Sequence, residues 1–329
     1  MTTCSERFLS YDDICKRPAF DQNYEISPDN FHKLIGKYSF KERHICQVRT
    51  NKGICRQKHN NGWLGVSLEG VEALIGCDCA VNYFSAHDDF IREKNRVNDE
   101  LDRKEALEKM SLLLGKKLET ASYIVDLEKT VRKVEGKLSK IYNTFPNEVL
   151  RFLYDAQRTN NWDVFVDVQK FKTVEDENGE TFPQESWIKS KLGKVSAISP
   201  SMDLKRLLDN VTDLRKFYNS FATVRLDDLA DIKTPKLKKH VKRLGLKDEY
   251  AQLIVKYNEE VSAFLKESNM ELLIYVCDSN KEQFLTTQAL MRLSGLKATH
   301  SIYIDKRLKS IKDKMEKLFG GDYIRKSVR

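Results

Sequence analysis

The chain has 329 residues, 32% of them charged and 40% hydrophobic, and a net charge of +8. That length allows two domains, and the balance of apolar and charged residues belongs to a folded globular protein rather than a disordered or fibrous one. No apolar run reaches the roughly 18 residues of a membrane span. The first twenty residues carry early acids and no apolar core, unlike a secretory leader, so the expectation is a cytoplasmic protein with no membrane contact.

Seven cysteines, an odd and clustered set, suit a metal site in a reducing compartment better than a disulfide framework. The expected fold class is α+β and predominantly helical. Three segments are expected: a zinc-stabilised N-terminal module over 1–82, a long helical and potentially coiled-coil connector over 83–146, and a mixed α+β domain over 147–329.

In the first segment, short strands are expected around Ile45–Val48, before the Lys52–Gly53 turn, and around Trp63–Ser67, before Glu69–Gly70. The same stretch carries the candidate metal ligands Cys46, Cys55, His59 and Cys79, with Cys77 as the alternate to Cys79 and His44 close by. Thiolates and an imidazole in one cluster are a tetrahedral Zn²⁺ donor set. Eight residues containing Asn51-Lys52-Gly53 separate Cys46 from Cys55, which places both at the base of a hairpin, and Cys79 stands where a helix begins. Four protein ligands close the shell, so the expected role of the zinc is structural and not catalytic.

Over 83–145 glycine almost disappears and helix is expected. Ile124, Leu127, Val131, Val134, Leu138, Ile141 and Phe145 are spaced 3, 4, 3, 4, 3, 4, an a/d heptad seam with Glu128, Lys129, Arg132, Lys133, Glu135 and Lys137 between them. Leu127, Val131, Val134, Leu138 and Ile141 are therefore candidates for an interface with a protein partner or a second copy. An ordinary helix pair packed on the C-terminal domain fits the spacing equally. Pro146 ends the helix.

The third segment opens with Trp162, Val164, Val166 and Val168 alternating with polar residues, a half-buried strand. Asn178-Gly179 signals a hairpin turn, and the return strand runs through Trp187 to Ile198 with a bulge at Gly193. A helix follows Ser199-Pro200-Ser201, with its apolar face on Leu204, Leu207, Leu208, Val211, Leu214 and Phe217. Another starts at Thr234-Pro235 and is expected to stop at Gly245, with a separate helix over 248–266. Leu272–Val276 and Ser301–Ile304 read as strands, 281–293 as helix and 306–319 as a basic tail helix.

Charge is concentrated in three places. Residues 41–59 hold six Lys/Arg against one acid, residues 233–247 hold seven and no acid, and the last 33 residues hold ten against four. Arg49, Lys52, Arg56 and Lys58, then Lys236, Lys239, Lys242 and Arg243, and last Lys306 and Arg307 are the candidate phosphate contacts. There is no phosphate-binding glycine loop, nucleophile elbow or His-Glu-x-x-His. Asp163, Asp167, Asp176, Glu177 and Glu180 read as a solvated strand face, and Cys277 as a core residue. The leading expectation is a non-enzymatic, zinc-containing protein that binds nucleic acid, DNA above RNA, within a multi-component machine. A protein–protein adaptor working through the heptad seam is the alternative, and a nuclease the third.

Overall fold

The structure, a computed structural model, describes residues 5–51, 53–175, 177, 180–225 and 227–327. Lys52, Asp176 and the Asn178-Gly179 turn lie outside the described residues. Along the chain stand β1 (Glu6–Phe8), α1 (Tyr11–Cys15), β2 (Phe31–Ile45), β3 (Arg49–Thr50), β4 (Gly53–Ile54), β5 (Lys58–Ser67), β6 (Glu72–Gly76), α2 (Cys77–Phe84), α3 (Asp88–Gly115), α4 (Lys117–Thr144) and α5 (Asn147–Thr159). Then come β7 (Asp163–Glu175), β8 (Thr181–Lys194), α6 (Ser201–Phe221), α7 (Thr234–Phe264), α8 (Glu267–Glu271), α9 (Asn280–Leu293), α10 (Ser301–Lys317) and β9 (Ile324–Lys326). The fold is α+β and mostly helical. No helix among the described residues is long and apolar enough to cross a membrane.

The chain divides into two compact units, both discontinuous in sequence: Met1–Lys117 with Ala222–Arg243, and Leu118–Phe221 with Leu244–Arg329. These units are cut differently from the three sequence segments. Residues 83–117 of the long helical stretch fall in the first unit and 118–146 in the second.

The first unit is built on a four-stranded sheet ordered β1-β2-β5-β6, antiparallel except for β1 beside β2. Its alternating residues feed two cores. Phe31, Leu34, Trp63, Ala73 and Ile75 pack with Phe84, Phe90, Val97 and Leu101 of α2 and α3. Phe8, Ile35, Tyr38, Phe40, Leu64, Val66 and Leu74 pack on the other face with Ile14. With both faces covered, β6 is buried along its whole length, and its Glu72 needs a partner there. Arg17 supplies it, with guanidinium nitrogens 2.6 and 2.9 Å from the two carboxylate oxygens. The expected strand over Ile45–Val48 is interrupted at Cys46 and Gln47, which are irregular, and strand resumes with β3 at Arg49. β2 stops at Ile45, and only Val48 makes a bridge, to Ile26.

The second unit has a three-stranded sheet, β8-β7-β9, and one large apolar core. The β7–β8 register slips between Val164–Gly193 and Phe165–Lys191, which is the bulge expected beside Gly193. The heptad residues Leu127, Val131, Val134, Leu138 and Ile141 are 0–8% exposed and belong to this core, with Val149 and Leu153 of α5 and Leu204, Leu207 and Val211 of α6. That corrects the interface reading: the stripe is covered by the chain's own helices and strands, so no second chain can use it. Glu128, expected on the outer side, is buried at 4%. Burial alone would raise its pKa, but Arg132 at 2.6 Å and Arg215 of α6 at 2.7 Å hold its carboxyl below the ordinary value.

Three sequence expectations fail for one reason each. Leu272–Val276 is a 3₁₀ turn buried from Leu273 onward, because a five-residue apolar run has no periodicity to separate strand from helix. Ser301–Ile304 is the first turn of α10, for the same reason. Gly245 is no helix end, since α7 runs through it to Phe264, with Leu237, Leu244, Ile254 and Val261 buried on both sides of it.

Val131→Asp will therefore unfold the second unit, at a cost above about 4 kcal/mol, rather than release a partner. Thermal melts with mass measurement on the same sample separate these outcomes. A Cβ at Gly245 would meet nothing within 4 Å, so Gly245→Ala will stabilise by about 0.5–1 kcal/mol in denaturant titration.

Candidate metal centre

The four predicted ligands arrive from four different elements of the first unit. Cys46 follows β2, Cys55 follows β4, His59 lies in β5 and Cys79 sits in the first turn of α2. The β2–β5 pairing puts Ile45 opposite Lys58, and beyond it Cys46 N–H donates to Gln57 O at 2.8 Å while Cys55 N–H donates to Val48 O at 2.8 Å. The chain between Cys46 and Gln57 is thus a small hairpin folded over the end of the larger one. Its return depends on Arg56, which has φ 58°. That left-handed conformation strains a residue with a side chain, and here it turns Cys55 and His59 toward the same point.

The β5–β6 pairing of Gly62 with Gly76 places the start of α2 beside β5. Gly76 has to be glycine: a Cβ there would lie 2.4 Å from Cδ2 of His59, so the imidazole is packed against bare backbone. The Gly76 N–H in turn donates to Cys46 Sγ at 3.3 Å. Gln47, 2% exposed and next to Cys46, fixes the loop by donating to Asp21 O and Tyr24 O and accepting from Leu74 N–H.

The donor atoms of Cys46, Cys55, His59 and Cys79 all lie within 4.8 Å of one another. Cys55 Sγ and Cys79 Sγ are 3.2 Å apart, and Cys79 Sγ is 4.0 Å from His59 Nε2. Metal–sulfur and metal–nitrogen bonds of about 2.3 and 2.1 Å require tetrahedral edges of roughly 3.6–3.8 Å, so the cluster could hold a metal ion with small side-chain adjustments. Cys46 and Cys79 are buried, and the His59 side chain is 10% exposed. His59 Nδ1 is 3.6 Å from the Asp78 carboxylate, which leaves Nε2 for the cluster, the arrangement in which a carboxylate orients a ligating imidazole.

Burial pushes the Cys46 thiol pKa up against the hydrogen bond from Gly76. It raises that of Cys79 further, helped by the adjacent Cys55 and Cys46 sulfurs. Thiols so close cannot ionise together without a cation, and a bound metal reverses that constraint. Cys77 is half-buried and outside the cluster. Two residues apart on a helix point about 200° away from each other, so α2 can aim only one of its two cysteines at the site, and it is Cys79. His44 stacks on Tyr11 at 3.8 Å between ring centres. Among the described residues no other Cys, His, Asp and Glu group converges in this way.

The candidate cationic residues divide between the units. Arg49, Arg56 and Lys58 are exposed on the metal-side hairpin of the first unit, with Arg49 3.6 Å from Glu25. Lys236, Lys239, Lys242 and Arg243 are exposed on the part of α7 that belongs to the same unit, opposite the buried Leu237 and Leu244. The first turns of α7 rest on α3, where Arg103 donates to Ile232 O at 2.8 Å and Lys238 pairs with Asp102. His240 is lowered in pKa by burial and then by the neighbouring Lys236, Arg243 and Lys239. Lys306 is exposed in the second unit, but Arg307 is 26% exposed and bound to Glu267 and Glu271. Arg307 holds α10 to α8 and is withdrawn from the ligand-facing set.

Asp163 pairs with Lys191 at 2.8 Å. Cys277 is fully buried with its sulfur 3.1 Å from the Thr286 hydroxyl, and burial pushes its thiol up to about 12. From sequence, Gly76 and Asp78 read only as part of a folding element around the last ligand in the string Gly76-Cys77-Asp78-Cys79; that both lie against His59 is visible only in the structure. Comparison with family models, curated proteins and solved structures finds no match for this chain.

Elemental analysis should give one metal per chain, lost in Cys46→Ser, Cys55→Ser and Cys79→Ser and kept in Cys77→Ser. Asp78→Asn should weaken metal affinity by about tenfold in competition with a chelator, with the ion still bound.

Proposed function

We propose that the cluster binds Zn²⁺ as a structural ion and that the first unit binds double-stranded DNA through its phosphates. Three thiolates and an imidazole favour zinc over calcium or magnesium, which take oxygen ligands. Four protein donors complete a tetrahedron, which supports a folding role for the ion rather than activation of water.

The observation that carries the binding reading is the cationic face of α7. Lys236, Lys239, Lys242 and Arg243 follow one another on the side away from Leu237 and Leu244, and no acid interrupts residues 233–247. The metal-side hairpin with Arg49, Arg56 and Lys58 belongs to the same unit. Cations arrayed along a helix surface suit the regular spacing of duplex phosphates, where they give affinity and register without reading bases. The absence of exposed aromatic side chains along this face favours a duplex over stacked single strands.

The test is a titration of the metal-loaded chain with random-sequence duplex at several salt concentrations. Affinity should fall steeply with salt. Lys239→Ala, Lys242→Ala and Arg243→Ala together should flatten the log–log slope by about 3 units. Binding that keeps its affinity and slope in the triple variant would overturn the assignment.

A further inference from the structure

The β7–β8 ribbon runs well past the sheet that supports it. β9 covers β7 only over Val166–Val168. The last anchors are Trp187, with the Arg325 guanidinium 3.7 Å from its ring centre and Tyr323 edge-on to it, and Lys170, ion-paired with Asp322. Beyond them the pairs Phe171–Glu185 to Glu175–Thr181 continue for about 15 Å. Of those ten residues nine are exposed and only Val174 is half-buried. A two-stranded ribbon with neither face covered is marginal in water, so this arm is built to meet something.

Its chemistry defines what it can meet. Five acids and two lysines stand between residues 170 and 188, and one of those lysines, Lys170, is taken by Asp322. Glu175, Glu177 and Glu185 are exposed. Phe171 and Phe182 are 64% and 46% exposed. The register puts Phe171 with Glu185 and Phe182 with Val174 on opposite faces of the ribbon. The acids repel nucleic acid and call for a cationic protein surface, with the two rings supplying apolar contact.

The chain carries that surface itself. The α7 face of Lys236, Lys239 and Lys242 lies within a stretch of seven Lys/Arg and no acid, and it belongs to the first unit while the arm belongs to the second. We propose that the acidic β7–β8 arm docks on the Lys236–Lys239–Lys242 face of a second copy of this chain. The two surfaces differ, so the contact is head-to-tail and generates a ring or an open chain of copies rather than a two-fold dimer. Exposed ion pairs are individually weak and salt-sensitive, so the association is reversible and nucleic acid would compete with the arm for α7.

The experiment is sedimentation velocity on the full metal-loaded chain, without nucleic acid, as a function of concentration. The mean mass should rise with concentration and fall as salt goes from about 50 to about 500 mM. The arm reversal E175K/E177K/E185K and the helix reversal K236E/K239E/K242E should each remain monomeric, and an equimolar mixture of the two should associate again, because each then carries the surface that the other lacks. Phe171→Ser with Phe182→Ser should weaken association about tenfold without any change of charge. All these positions are exposed, and circular dichroism checks that each variant is folded. A wild type that stays monomeric throughout, a single reversal that associates like the wild type, or a mixture that stays monomeric would each overturn the proposal. The arm reversal keeps every α7 lysine and the sedimentation readout contains no DNA, so this result stands apart from the fate of the DNA assignment.

Discussion

Three thiols and an imidazole drawn within 4.8 Å of one another form an arrangement that the polypeptide alone does not favour. The buried sulfurs of Cys46 and Cys79 resist ionisation, and an ordinary apolar core would not choose them. A divalent cation changes the sign of the interaction, making each deprotonated sulfur an asset. The end of the β2–β5 hairpin, the small hairpin between Cys46 and Gln57 and the first turn of α2 all meet at that point. The left-handed Arg56 and the bare backbone of Gly76 are conformational requirements of the same junction. Glu72, Arg17 and Gln47 then tie the N-terminal segment to the sheet beside it, so the position of the basic hairpin follows from the closed cluster.

The second unit solves a different problem. Its heptad stripe is long enough to drive association, yet α5, α6 and the β7–β9 sheet cover it completely. Glu128 sets the fit of α4 against α6 by reaching Arg215 while it also holds Arg132. A buried carboxylate satisfied from both helices penalises sliding of one past the other more than an apolar residue would. What the second unit leaves uncovered is the outer half of the β7–β8 ribbon, where the side chains switch from valine alternation to exposed acids and phenylalanines.

Helix α7 connects these themes. Its first turns present lysines and belong to the first unit, whereas its later turns bury Ile254, Val261 and Phe264 in the core of the second. Gly245 falls just after the change. Local propensity favours a break there, but the buried residues on either side outweigh the roughly 1 kcal/mol that glycine costs a helix interior. One helix thus carries a polar surface role at one end and a packing role at the other, with charge patterning that changes accordingly.

The amino-acid sequence by itself determined the candidate donors, with Cys77 still standing beside Cys79, the apolar stripes and the charge blocks, because each depends on residue type at short spacing. Cys46, Cys55, His59 and Cys79 were legible through donor chemistry, and the Val164–Val168 alternation through the two-residue period of a strand. Only the tertiary structure decided which element covers each stripe. The spacing from Ile124 to Ile141 is the same whether a second chain or α6 packs on it. It also decided the choice of Cys79 over Cys77, which depends on the direction α2 takes as it leaves β6, and the loss of Arg307 to Glu271, a pairing 36 residues apart in sequence. Short apolar runs such as Leu272–Val276 were undecidable for a related reason: burial on all sides erases the periodicity that would distinguish helix from strand.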